Sequence, residues 1–138
     1  MSVEFNLTPI EARKVWSSAL RSGEFKQTKG MLNPTDKVGF CCLGVACELF
    51  RRHEPQHKLT VTWTNFGAFT YNNSSTVLPS VVAKWLNISA GGKFNEINGS
   101  SNNLIAMNDV QNKSFNEIAD AIDSSEFLAS ANDTNNFA

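Results

Sequence analysis

Apolar residues recur at helical spacing in three stretches of this chain, and each stretch carries its own start signal. Thr8-Pro9-Ile10-Glu11 reads as a capping box with proline at the first helical position. Ala12, Val15, Trp16, Ala19 and Leu20 follow on one face, and Ser22-Gly23 ends the run. Trp16 is expected to be a core residue of that face. Leu78-Pro79 opens a second helix with Val81, Val82, Trp85 and Leu86 turned inward, ending near Asn87. Ser114-Phe115-Asn116-Glu117 is a second capping box ahead of the stripe Phe115, Ile118, Ala119 and Ile122. Leu104-Ile105-Ala106-Met107 adds one or two apolar turns before Asn108-Asp109.

A different pattern runs through Gly39-Phe40-Cys41-Cys42-Leu43-Gly44-Val45-Ala46-Cys47, which is apolar around most of a helical circumference. That predicts a central, surrounded helix carrying all three cysteines, closed by Arg51, Arg52 and Pro55. On it Cys42 shares a side with Leu43, Ala46, Leu49 and Phe50, whereas Cys41 turns toward Gly44, Val45 and Glu48. Glycine inside a helix costs about 1 kcal/mol relative to alanine, so Gly44 predicts a close approach, read here as contact with another helix. Leu59-Thr60-Val61-Thr62-Trp63-Thr64 alternates apolar with threonine, a strand with one packed and one wet face. Phe69-Thr70-Tyr71 is its partner across a turn, giving an antiparallel hairpin. Glu24 to Leu32 suits an edge strand or extended loop, and Asn33-Pro34-Thr35-Asp36 a turn. Ser89 to Ser101 reads as a loop holding a short strand at Lys93-Phe94-Asn95-Glu96-Ile97. The fold class expected is α+β: one compact domain over residues 1–124, with the cysteine helix at its centre, four other helices and a small antiparallel hairpin or sheet. Residues 125–138 lack periodicity and are expected to fray.

Composition supports a folded, non-membrane chain: 41% of the 138 residues are apolar, 18% are charged, and no apolar run reaches the length of a membrane span. The opening Met-Ser-Val-Glu-Phe-Asn has neither a basic nor an apolar leader pattern, and three cysteines with two adjacent make a poor disulfide framework. Both point to reduced thiols in a cytoplasm. Residues 1–58 carry nine basic and six acidic side chains and residues 59–138 three and seven, so one face is mildly positive (Lys26, Lys29, Lys37, Arg51, Arg52). That density is too low for a protein that neutralises many duplex phosphates.

Three chemistries are weighed against plain packing. Cys41 near a helix N-terminus, with His57 as base and Asn108 or Asp109 as orienting partner, would make a cysteine hydrolase. Buried free cysteines more often act as small hydrophobes, and the sequence leans away from an enzyme. Cys41, Cys42, Cys47 and His53 match no paired metal-ligand spacing, so no metal or cofactor is expected. Ser114 to Ile122 looks like the first helix of a DNA-binding helix-turn-helix, but no basic second helix follows, leaving a DNA-binding regulator as a further alternative.

Trp16-x-x-Ala19-Leu20-Arg21-Ser22-Gly23, Gln27-x-x-Gly30-x-Leu32, Gly39 to Val45 with Cys47, Leu78-Pro79 with Val82 and Trp85, and Met107-Asn108-Asp109 before Ser114-Phe115-x-Glu117-Ile118-Ala119 together resemble a set of small proteins of unknown function encoded by bacteriophages and some bacteria. The resemblance runs from about Val15 to Ile122, leaves out the stretch between Arg52 and Val77, and implies no catalytic residues. It implies a phage-type accessory protein in the host cytoplasm. The expectation is a non-enzymatic binder that sequesters a host protein or a small polar ligand such as a signalling nucleotide. Arg21, Gln27, Asn108 and Asp109 are the candidate ligand-binding residues, because they are polar side chains within otherwise structural motifs. Local roles compete with that reading: a helix-end charge for Arg21, an Asx turn for Asn108-Asp109.

Overall fold

The computed structural model describes residues 5–28, 32, 39–64, 69–75, 77–88, 93–97, 100–103, 108 and 113–123, with only the backbone described for residues 93–97 and 100–103. Four α-helices lie among these residues: α1 (Pro9–Arg21), α2 (Cys42–His53), α3 (Ser80–Leu86) and α4 (Phe115–Ile122). A 3-10 turn, Pro55–His57, follows α2. Six short strands pair two by two: β1 (Lys26–Gln27), β2 (Gly39–Phe40), β3 (Val61–Trp63), β4 (Phe69–Tyr71), β5 (Lys93–Ile97) and β6 (Ser100–Asn103). The α+β class expected from the pattern is the class observed.

Both capping boxes form. The Thr8 and Ser114 hydroxyls accept the Glu11 and Glu117 amides at 3.2 and 3.1 Å, and the two glutamates return the bond to the cap amides at 2.9 and 3.0 Å. Each pair satisfies two of the amides that a helix start leaves without partners. α1 packs against α2, α3 and α4, and α2 packs against α3, so α2 is enclosed from several sides. Cys42, Leu43, Val45, Ala46, Cys47, Leu49 and Phe50 are all buried on it. The expected stripes of α3 and α4 are buried too, except that Val81 is only partly covered. Trp16 is fully buried and donates its indole N–H to the Cys42 carbonyl at 2.8 Å.

Four expectations need correction. The cysteine helix does not include Gly39–Cys41: Gly39 and Phe40 pair in parallel with Lys26 and Gln27, and Cys41 is the extended N-cap residue, so helix begins at Cys42. An apolar run buried on all sides has the same signature as a strand or a helix, and here a parallel partner decided the first two residues. The close approach at Gly44 comes from Leu32 and not from a helix: a Cβ on it would lie 1.9 Å from the Leu32 carbonyl oxygen, so that backbone occupies its side-chain space. Trp63, expected on the packed face of its strand, is 52% exposed, while Thr70 across the hairpin is buried. The β3–β4 hairpin itself forms antiparallel as expected, with Val61 opposite Tyr71 and Trp63 opposite Phe69. Ser100 and its neighbours, expected in a loop, form β6 against β5. The turn at Asn33–Asp36, the apolar turns at Leu104–Met107 and the tail 125–138 lie outside the described residues.

Polar residues close the ends of the core. Arg13 sits among the inward residues of α1, fully buried, and donates from Nε to the Leu86 carbonyl (2.8 Å) and from Nη2 to the Asn87 carbonyl (2.9 Å). It thereby satisfies carbonyls at the C-terminus of α3, where a cation also suits the helix dipole. Burial pushes its pKa down to about 10, which still leaves it charged at neutral pH.

Candidate functional site

Two of the polar residues expected in a site come together although 81 positions separate them. Gln27 Nε2 donates to Asn108 Oδ1 at 2.8 Å and to the Lys113 carbonyl at 2.8 Å, while Gln27 Oε1 accepts the Phe115 amide at 3.1 Å. Asn108 is fully buried and donates from Nδ2 to the Thr28 carbonyl at 2.8 Å. The parallel pairing of β1 with β2 holds Gln27 in place, and its oxygen caps an orphan amide in the first turn of α4. The result is a polar clasp joining β1, Asn108 and the start of α4. Beside it the Thr28 hydroxyl oxygen is buried with no hydrogen-bond partner, the one such side-chain atom among the described residues. Lys26 precedes Gln27 in β1, and the Lys113 ammonium lies 3.7 Å from Glu117.

Arg21 does not join the clasp. It ends α1 and pairs with Asp120 at 2.7 Å and with Asp123, which tie α1 to the far end of α4. Those two carboxylates raise its pKa through hydrogen bonds. Ser17 Oγ adds a 2.7 Å bond to Asp123 on the same seam. Asp109 lies outside the described residues.

Cys41 and His57 are not brought together. Cys41 caps the N-terminus of α2, 5% exposed, whereas His57 lies beyond its C-terminus, where its ring is 5.8 Å from Phe50 and 5.0 Å from Phe5. Twelve helical residues at 1.5 Å each place the two ends roughly 18 Å apart. Burial raises the Cys47 thiol well above its usual range, and the neighbouring Cys41 and Glu48 add to it. Among the described residues no three His, Cys, Asp or Glu side chains group as a metal site, and no helix is long and apolar enough to cross a membrane.

A family model described as a domain of unknown function, DUF8296, matches residues 10–126. The chain belongs to this family. The DUF8296 span takes in α1 from its second residue, Ile10, the other three helices, the clasp, the cysteine segment and the three strand pairs; Phe5 to Leu7 precede it. No curated protein and no solved structure matches the chain.

The residue that the sequence pattern missed is Glu54, the C-cap of α2, which is fully buried. Its Oε1 accepts the Asn6 amide (2.5 Å) and Gln56 Nε2 (3.0 Å); its Oε2 accepts the Leu7 amide (2.9 Å) and the Trp85 indole (3.1 Å). Among the described residues no cation pairs with it. One signal was available: a carboxylate at a helix C-terminus faces the negative end of the dipole, so Glu54 directly after Arg51, Arg52 and His53 required compensation from elsewhere.

Proposed function

We infer that this DUF8296 protein is a non-enzymatic binder of a small polar ligand, a phage-type accessory protein working in the cytoplasm of a bacterial host. The observation that carries the reading is the clasp: Gln27 and Asn108 converge from distant parts of the chain beside a Thr28 hydroxyl that has no partner. A buried polar group left unpaired costs about 1–3 kcal/mol, and a ligand that offered it a hydrogen bond would recover that cost. The hydroxyl beside the internally bonded amides, with the lysines Lys26 and Lys113 nearby in the chain, suits a ligand with a hydrogen-bonding edge and an anionic group, such as a signalling nucleotide. Asp109, adjacent to Asn108 in the sequence, remains a candidate contributor, whereas Arg21 is committed to Asp120 and Asp123.

The test is thermal denaturation of the wild-type chain and Thr28→Val against a panel of mono-, di- and cyclic nucleotides. A ligand at a hundred times its Kd stabilises by about 2.7 kcal/mol, roughly 10 °C for a domain of this size. The expected result is such a rise for wild type, its loss in Thr28→Val, recovery of the nucleotide unchanged, and an unliganded variant no less stable than wild type. Turnover of the nucleotide, or a variant destabilised because the hydroxyl already has a partner, would contradict the reading.

A second reading, sequestration of a host protein, is favoured by the hairpin. Trp63, half exposed, meets Phe69 edge-on at 4.9 Å, and a rigid exposed tryptophan is the residue type most enriched at binding hot spots. Trp63→Ala would then abolish capture of the partner and leave the folded state intact.

A further inference from the structure

The Glu54 carboxylate divides its partners evenly between the body of the fold and the chain ahead of α1. Each oxygen takes one donor from the body, Gln56 Nε2 on Oε1 and the Trp85 indole on Oε2. Each also takes one from the segment Phe5–Leu7, the amides of Asn6 and Leu7. The body donors suffice to orient the carboxylate; the segment's two successive amides dock onto a group already held in place. Asn6 Nδ2 adds bonds to the His53 carbonyl (2.8 Å) and to Gln56 Oε1 (3.3 Å). The Phe5 ring lies edge-on to Phe50 at 6.1 Å and against His57 at 5.0 Å, and Phe50 in turn meets Trp85 edge-on at 5.3 Å. The segment itself buries no side chain completely: Phe5 and Leu7 are half-buried and Asn6 is exposed.

We propose that Glu54, Phe50 and His57 form a docking seat for an extended peptide segment with an aromatic side chain followed by two free backbone amides. The chain's own residues Phe5–Leu7 hold that seat closed as a detachable strap. The inference does not rest on the polar-ligand reading of the clasp. The physical basis is the difference in what each side would lose. If the strap lifts, Glu54 keeps Trp85 and Gln56 and gains water, and only two partly buried apolar side chains, Phe5 and Leu7, leave the core, so opening belongs to the low-stability end of the molecule. The seat then presents a carboxylate still held by Trp85 and Gln56 but stripped of two of its four donors, beside an aromatic wall, complementary to backbone N–H groups and a ring.

Hydrogen exchange of the full chain tests the strap. The Asn6 and Leu7 amides are expected to exchange by a local opening that is insensitive to denaturant, well before the α1 and α2 amides. In Glu54→Gln they should exchange roughly tenfold to a hundredfold faster, because one acceptor oxygen becomes a donor facing other donors. Strap amides that exchange only with global unfolding in the wild-type chain would overturn the proposal, whether or not the variant folds. The seat is tested in trans with a fluorescent peptide of sequence Phe-Asn-Leu-Thr-Pro and the Phe5→Ala chain, whose own strap has lost its ring. Saturable binding that weakens at least roughly tenfold when Glu54→Gln is added is the expected result. Absence of saturable binding, or equal binding to both chains, overturns it.

Discussion

Replacing Gly44 by alanine would set a methyl group 1.9 Å from the Leu32 carbonyl oxygen and 2.7 Å from its carbon, inside any tolerable contact. Relief requires the Leu32 backbone to retreat by more than an ångström, and that backbone is pinned. Its amide donates to the Ser75 carbonyl at 2.7 Å, its carbonyl accepts the Cys41 amide at 3.3 Å, and its side chain is fully buried. Losing or stretching two hydrogen bonds costs about 0.5–1.5 kcal/mol each, and forcing extra volume into a packed site about 1–3 kcal/mol. Against this, alanine gains about 1 kcal/mol of helix propensity over glycine. The net expectation is a loss of about 1–5 kcal/mol, read as a lower urea midpoint at unchanged slope by far-UV circular dichroism. Gly23→Ala is the control: φ is +80° there but nothing lies within 4 Å, so only the left-handed strain remains, about 1 kcal/mol. A Gly44→Ala chain as stable as wild type, or more so, would refute the crossing-backbone account and leave propensity as the only effect.

Arg21→Ala should cost under about 1 kcal/mol, since Arg21 and both its carboxylate partners are at least one-third exposed, and the loss should shrink in 1 M salt. A large, salt-independent loss would mean that Arg21 does more than join α1 to α4. The cap hydrogen bonds hold Glu11 and Glu117 below their usual 4.5, from Thr8 and Ser114 respectively. Because these pKa values are lowered by folding, their contribution is complete above 4.5 and is lost as pH falls below it. Denaturation midpoints measured from pH 7 to 3 should therefore drop less steeply in Glu11→Gln/Glu117→Gln than in wild type; parallel profiles would contradict that sign.

The parts of the fold that could be read from sequence are those decided within a turn or two of chain. Thr8 with Glu11 and Ser114 with Glu117 are contacts three residues apart, and both helices begin where those pairs say. The α4 stripe and the pairing of β3 with β4 as a hairpin follow from local pattern in the same way. What escaped was decided by partners far along the chain. Gly39 and Phe40 are strand because Lys26 and Gln27 lie beside them, and Gly44 is glycine because Leu32 crosses it. Alternation in β3 marks two faces but not which one the core covers, so the apolar pattern predicts Trp63 inside where the fold leaves it outside. For the candidate site, residue type selected Gln27 and Asn108, yet only the folded chain shows their mutual bond. Arg21 belongs to a different seam, and Glu54 was hidden by a polar, proline-containing context.

The account treats the cysteine segment as scaffold rather than reagent, and timed thiol labelling at pH 7.5 tests that most directly. Cys41, Cys42 and Cys47 are all buried and none is in a disulfide, with the Cys47 thiol pushed well above its usual range by burial. A small disulfide reagent should therefore label none of them on the native protein before unfolding exposes them, and all three at once in denaturant. Rapid labelling of Cys41 in the folded chain, slowed by His57→Ala, would contradict the account and make the protein a cysteine enzyme.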